Sequence, residues 1–206
     1  MKTSNAFLSL ILLATPALHA QGGLERVRQS LSQGRYAEAA QELQQMVLAG
    51  GPFLKKPGPA EERMLRRAIA IARKSMENGS SAHRNAARQV LCLSRAYFPE
   101  EDLPGIEDAL RVGGGVRRPQ LIGEPVRPPY PPNARRAGIQ GTEILEVIVD
   151  QEGCVRHPRI LKGLPLGFDY VALAAVQSWT FQPATLEGRH RAVHYVVTVP
   201  FSLKEP

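Results

Sequence analysis

The sequence predicts an α+β protein: an all-α, repeat-like N-terminal domain, then a small domain whose three-stranded antiparallel sheet is covered by helices. The prediction rests on a change in hydrophobic period. From Leu24 to Tyr97, apolar residues recur at the spacing of amphipathic helices. In Thr142–Val149 and Val193–Leu203 they alternate, as in strands with one buried face. The predicted divisions are a signal peptide at residues 1–20, a helical domain at 21–112, a Gly- and Pro-rich linker at 113–124, and the second domain at 125–206.

The N-terminal segment has the features of a secretory signal. Lys2 supplies a positive charge, residues 6–14 are almost entirely apolar, and Ala17 or Ala20 offers a small residue at the cut. The rival interpretation is an uncleaved membrane anchor, but residues 6–20 fall short of the roughly 20 that span a bilayer. We therefore expect a periplasmic or secreted protein after cleavage.

The chain has a formal net charge of +7, and most of the excess lies before residue 125. A basic surface attracts anionic lipid, polysaccharide or acidic proteins. A solvated helical face explains the same charges and is the preferred interpretation. Nucleic acid is not an expected partner of an exported chain.

The helical domain begins with a predicted hairpin at Leu24–Leu48, broken near Gly34. Residues 34–39 resemble the small-residue and aromatic pattern of a tetratricopeptide repeat, although no full repeat follows. Two further helices are predicted at Glu61–Met76 and Ala82–Tyr97.

A shorter helix is predicted from Pro104 to Val112, ending at three consecutive glycines. These glycines open the predicted linker. They lack the Gly-Lys-Ser or Gly-Lys-Thr ending of a phosphate loop, so no nucleotide is expected there. No cofactor is expected elsewhere.

Cys92 and Cys154 are the two cysteines of the chain. An oxidising compartment permits them to pair and so to tie the two halves together, but two separate thiols remain an open alternative. Their spacing carries no metal signature. His190 and His194 lie roughly 13 Å apart on a strand, so they cannot share an ion. On a strand His157 points away from Cys154, which argues against a catalytic pair.

The second domain is predicted to run helix, strand, strand, helix, strand. The segments are Pro132–Ala137, Thr142–Val149, Val155–Leu161, Phe168–Trp179 and Val193–Leu203, with a tight turn at Asp150–Gly153.

The structural motif residues of this domain, in order, are Tyr130, Pro131, Gly141, Gly153, Trp179, Phe181, Pro183 and Gly188. With this ordered set, the segment from about Pro125 to Leu203 resembles the C-terminal domain of the TonB energy transducers. Rigid backbone at Pro131 and burial of Tyr130, Trp179, Phe181 and Pro183 predict packing roles for these five residues.

The resemblance implies a non-catalytic protein-binding module. TonB proteins grasp outer-membrane transporters by adding a transporter segment as a strand to the edge of their last strand. The implied partner is a TonB-dependent outer-membrane transporter or another envelope protein, and an edge-strand homodimer is a further alternative. The implied binding edge consists of Val193, His194, Tyr195, Val196, Val197, Thr198 and Val199.

The chain departs from a full transducer because it lacks a convincing anchor and a long Pro-rich spacer. The alternatives are an anchored energy transducer with an uncleaved N-terminal segment, and an envelope scaffold that uses the helical domain. Pro200 lacks a backbone N–H. Either it interrupts the binding edge, or it guards an exposed edge against aggregation.

Overall fold

The computed structural model describes residues 16–99, 101 and 105–203, with side chains from residue 22 onward. The predicted signal peptide, residues 1–20, lies outside the described residues apart from the backbone of residues 16–20. No helix in the described part of the chain combines the length and the apolar character needed to cross a membrane.

The N-terminal half contains four helices, which confirm the helical segments predicted between Leu24 and Tyr97. They are α1 (Pro16–Ser32), α2 (Tyr36–Gly50), α3 (Pro59–Ser75) and α4 (Ser81–Arg95). Gly34 turns the chain between α1 and α2 with a φ of 69°, a left-handed conformation that glycine adopts without strain. The fully buried centre of this half includes Val27, Leu43, Leu65, Val90 and Leu91.

Tyr36 joins three of these helices. Its ring packs edge-on against His83 of α4, with the centroids 4.8 Å apart, and its hydroxyl hydrogen-bonds with Ser75 Oγ at the end of α3. Ala39 and Ala40 are buried on the same helix as Tyr36. Small side chains there allow α2 and α4 to pack closely. The tetratricopeptide resemblance itself stays a prediction.

The C-terminal half is built on a four-stranded sheet, so the predicted three-stranded sheet was one strand short. In chain order its elements are β1 (Leu110–Arg111), β2 (Gln120–Leu121), α5 (Pro132–Arg136), β3 (Gly141–Val149), β4 (Val155–Lys162), α6 (Phe168–Gln177), β5 (Phe181–Gln182), β6 (Ala184–Leu186), β7 (Arg189–Arg191) and β8 (Val193–Phe201). The main sheet has the order β1-β8-β3-β4, and β2-β5 and β6-β7 form two small ladders. The predicted strands are β3, β4 and β8, and β3 pairs antiparallel with both of the others.

The prediction of a helix from Pro104 to Val112 was wrong. Residues 102–104 lie outside the described part, and the remainder forms a turn followed by β1. The N–H of Leu110 donates to the C=O of Ala192 at 2.9 Å, and the side chains of Leu110 and Val112 pack against the sheet core. A helix this short would form few hydrogen bonds. Pairing with β8 and burial of the apolar side chains therefore determine the conformation of this segment.

Residues 113–124, the predicted linker, contain β2 and are paired with the C-terminal half. Arg117 forms an antiparallel bridge with Thr185, and β2 pairs with β5. Strands of two or three residues are too short to show a period, so β1, β2, β5, β6 and β7 were not predicted. The domain boundaries themselves remain a prediction.

One face of the sheet is covered by α5 and α6, as predicted. Its core contains Ala134, Leu145, Val147, Val149, Phe168, Ala172, Val176, Phe181, Val197, Val199 and Phe201. Trp179 lies at the border of this core, and its indole Nε1 donates to the C=O of Val126 at 3.2 Å. The residues before α5 are thereby held against the end of α6.

The hairpin between β3 and β4 is the main point of attachment to the helical half. Cys154 is joined to Cys92 of α4 by a disulfide bond, which resolves the two alternatives left open by the sequence. Beside it, the Glu152 carboxylate accepts hydrogen bonds from Arg73 at 2.8 Å and from Arg95 at 2.6 Å. The two halves are thus joined by both a covalent bond and ion pairs.

Arg156 of β4 also binds the end of α4. This guanidinium is buried and donates to the carbonyl groups of Arg95, Phe98, Pro99 and Glu101, at 2.9 to 3.4 Å. Carbonyls at a helix C-terminus have no partner within the helix and attract positive charge. The sheet therefore caps the last helix of the N-terminal half.

The turn of this hairpin has the predicted chemistry. Asp150 Oδ1 accepts the N–H groups of Glu152 at 2.9 Å and Cys154 at 3.0 Å. Gly153 has a φ of 90°, and a Cβ at this position would lie 1.9 Å from the carbonyl oxygen of Phe181. Glycine is therefore required both by the backbone conformation and by the close approach of β5.

Glu143 is fully buried near the start of β3. Its Oε1 and Asp169 Oδ1 each lie 3.3 Å from the Leu164 amide nitrogen, so the two carboxyl groups are neighbours. Burial, together with the hydrogen bond and charge of Asp169, raises the pKa of Glu143 to about 7.

Because this pKa is raised above its value in the unfolded chain, we expect Glu143 to make stability fall as pH rises. Its contribution is fully present below about pH 4.5 and is lost by the time the pH passes about 7. Glu143→Gln should remove a fall of about 1 to 3 kcal/mol in the free energy of unfolding between these pH values. Urea unfolding across this range measures it, with exposed Glu187→Gln as the control. Equal pH dependence in Glu143→Gln and the parent protein would contradict the assignment.

Removal of the disulfide should destabilise the protein by about 2 to 5 kcal/mol, because the unfolded chain is no longer constrained. The double variant Cys92→Ala/Cys154→Ala leaves no unpaired thiol and is the matched test. In urea unfolding, a reductant should lower the stability of the parent protein towards that of the variant, and should leave the variant unchanged. If the reductant shifts both proteins equally, its effect does not come from this bond.

Candidate binding edge

Strand β8 pairs with β3 along its whole length. The register runs without a break from Val193 opposite Val149 to Phe201 opposite Gly141. The residues of the predicted edge alternate between the two faces of the sheet. Val193, Val197 and Val199 are buried in the core with Tyr195 partly covered, whereas His194, Val196 and Thr198 lie on the opposite face.

The other edge of β8 is occupied by β1 at one end. Leu110 lies opposite Val193 and Arg111 opposite His194, in parallel orientation. The next residues, Val112 and Gly113, leave the edge. Within the described part of the chain, no strand pairs with this outer edge of β8 from Tyr195 onward. The first two residues of the predicted binding edge are therefore already paired.

The direction of the backbone groups follows from the contact with β1. Ala192 directs its C=O to Leu110 and thus away from β3. Because backbone groups alternate along an antiparallel strand, those of Val196, Thr198 and Pro200 also point outward. The outer edge consequently offers two N–H donors beyond β1, those of Val196 and Thr198.

Pro200 therefore interrupts the outer edge and not the ladder with β3. Its nitrogen is at an outward position, opposite Thr142 in the register, and carries no hydrogen. A strand docked on the outer edge can pair with the Pro200 carbonyl but receives no donor there. The unpaired stretch is thus limited by β1 at one end and by Pro200 at the other.

A charged cluster stabilises the open face of the sheet behind this edge. Glu146 of β3 is buried and accepts two hydrogen bonds from Arg159 of β4, at 2.6 and 2.8 Å. His194 Nδ1 lies 3.5 Å, and Arg111 Nη1 3.9 Å, from the same carboxylate. The hydrogen bond from Arg159 lowers the pKa of Glu146 below its usual value. One carboxylate therefore links all four strands.

The aromatic motif residues support β8 from the core side. The Tyr130 ring packs edge-on against Phe168 and Phe201, with centroids 5.3 and 5.9 Å apart, and its hydroxyl donates to the C=O of Ile139. The Phe181 ring is likewise edge-on to Tyr195 at 5.9 Å. These contacts hold both ends of β8 in place.

The other motif residues lie at turns and strand ends. Pro131 precedes α5, Gly141 begins β3, and Pro183 is buried between β5 and β6. Gly188 turns the β6-β7 hairpin with a φ of 77°. None of these four residues belongs to the outer edge of β8.

The side chains considered for chemistry include Cys154 and His157. The sulfur of Cys154 is in the disulfide bond and is therefore not available as a nucleophile beside His157. The described residues contain no group of three or more His, Cys, Asp or Glu side chains able to hold a metal ion.

Residues 126–203 match the family model for the C-terminal part of the Gram-negative bacterial TonB protein. The chain is 32% identical over 90 residues to Protein TonB of Vibrio cholerae, a match covering 43% of this chain and 37% of that protein. It is 39% identical over 77 residues to Protein TonB of Xanthomonas campestris pv. campestris, covering 37% of this chain and 34% of that protein. The chain thus spans little more than a third of these curated relatives.

A solution NMR structure of the Pseudomonas aeruginosa TonB C-terminal domain is also similar. It is 20% identical, covers 46% of this chain and 93% of its own, and has a TM-score of 0.34. This likeness is too weak to bear on function. The sequence comparisons support a TonB C-terminal domain at residues 126–203, while residues 1–125 lie outside the family match.

Proposed function

We propose that this chain is a non-catalytic, periplasmic protein-binding module that receives an extended partner segment on the outer edge of β8. The partner class is the periplasm-facing segment of an outer-membrane transporter. The observation that carries the proposal is the unpaired backbone of β8 beyond β1, in a domain whose sequence matches the TonB C-terminal family. Main-chain hydrogen bonds to such an edge supply affinity, and alternate side chains supply selectivity.

The described edge sets the length and strength of this interaction. A docked segment pairs with the N–H and C=O groups of Val196 and Thr198 and with the C=O of Pro200. Each hydrogen bond contributes on the order of 1 kcal/mol net. So few bonds favour a short partner segment and a reversible complex.

Side chains on the open face add an apolar contact. The Val196 side chain is 51% exposed although it lies in the middle of a strand. An extended partner segment places every second side chain on this same face, beside Val196. An apolar residue in the partner would therefore cover it.

The helical half supports a scaffold role as the second candidate function. It is fixed to the β3-β4 hairpin by the disulfide and by Glu152, so both halves would move as one body with any bound partner. An anchored energy transducer would use the same β8 edge. Binding at the edge is therefore common to these alternatives and is the property to test first.

Thr198→Pro should weaken binding of a synthetic peptide copied from the periplasmic segment of an outer-membrane transporter of the same organism. The substitution removes an outward N–H and leaves the ladder with β3 intact, so we expect about tenfold weaker binding. Thr198→Val is the matched control, because it changes the side chain and keeps the N–H. Isothermal titration calorimetry measures both, with thermal unfolding as a check on folding.

The converse variant, Pro200→Ala, adds a donor to the same edge. It should bind the peptide roughly threefold to tenfold more tightly. Equal affinity of Thr198→Pro and Thr198→Val would contradict strand addition at this edge. Sedimentation of the peptide-free protein identifies competition from a second copy, which would use the same edge.

A further inference from the structure

A cleft of about 540 Å³ lies beside the two small ladders, away from the outer edge of β8. It is lined by Arg117, Arg118, Gln120, Gln182, Pro183, Thr185 and His190. Its volume falls in the range of about 300 to 1,000 Å³ that is usual for small-molecule sites. The strand-addition proposal does not use it.

Two sets of cross-strand pairs bring these side chains together. Thr185 lies between Arg117, with which it exchanges backbone hydrogen bonds of 2.8 and 3.2 Å, and His190 of β7. Gln120 lies opposite Gln182 in the β2-β5 ladder. Residues directly opposite each other place their side chains on the same face. The walls of the cleft are therefore set by backbone pairing.

The lining is rich in hydrogen-bond donors and contains no carboxylate. Arg117 and Arg118 are exposed, and the described residues provide no salt bridge to either. Elsewhere in the chain Arg66, Arg95 and Arg159 each pair with a glutamate. The described lining therefore carries the positive charge of two arginines with no carboxylate to offset it.

The neighbouring strand increases the positive charge. Arg189 and Arg191 flank His190 on β7, and Glu187 is the acidic residue of this hairpin. The side-chain amide of Gln182 donates a hydrogen bond to Asn85 Oδ1 of α4. This bond fixes Gln182 as a wall of the cleft. The arginines, the Thr185 hydroxyl and the Gln120 amide remain as donors to a ligand.

We propose that this cleft binds a ligand with two linked phosphate groups. A guanidinium fork matches phosphate oxygens in a bidentate manner, and both Arg117 and Arg118 line the cleft. A single phosphate would leave much of the volume empty. The phosphates belong either to a soluble diphosphate or to a lipid head group that links two phosphates, and the experiment separates these sources.

The test measures binding to the full chain at constant ionic strength. The soluble arm titrates inorganic pyrophosphate by calorimetry, and the membrane arm uses phosphatidylcholine vesicles with and without cardiolipin, whose head group links two phosphates. The variant is Arg117→Gln/Arg118→Gln. The matched control is Arg63→Gln/Arg67→Gln, which removes the same charge from exposed positions of α3.

Saturable binding in either arm, weakened about tenfold by the cleft variant and unchanged by the control, supports the proposal and identifies the source. Equal weakening by both double variants would overturn it, because binding would then follow net charge alone. Absence of saturable binding in both arms would overturn it as well. Thermal unfolding shows whether each variant is folded.

Discussion

The antiparallel ladder between β3 and β8 is the constraint on which the candidate site depends. Its unbroken register fixes which face of β8 is buried and which backbone groups point away from β3. The outward direction of Val196, Thr198 and Pro200 follows from that register and from the hydrogen bond that the Leu110 N–H donates to the Ala192 C=O. A shift of one residue would bury His194 and Val196 and would turn the missing donor of Pro200 towards β3.

The attachment of the helical half leaves this edge open. Its bonds to the C-terminal half come from the β3-β4 hairpin, Arg156 of β4, and residues of α6 and β5. In the order β1-β8-β3-β4, β4 lies on the opposite side of β3 from β8. The helices therefore support the sheet from one side while the outer edge of β8 remains available on the other.

Long periodic segments were predictable from the sequence. The alternation in Thr142–Val149 and Val193–Leu203 identified β3 and β8, and spacings of three and four identified α1 to α4 and α6. Strand β1 was mistaken for a helix because its two residues carry no period and form only through pairing with β8. The extent of the candidate edge therefore could not be read from the sequence. The direction of Pro200 was equally hidden, because it depends on register. The phosphate-binding cleft was missed because backbone pairing brings distant segments together.

Hydrogen exchange of individual β8 amides, followed by NMR, tests the central claim most directly. Amides bonded to a neighbouring strand exchange slowly, whereas outward amides in contact with water exchange quickly. The account predicts rapid exchange at Val196 and Thr198, and slow exchange at Val197 and Val199, which alternate with them along the strand. The reverse pattern, or equal protection at all four positions, would contradict an open outer edge on β8.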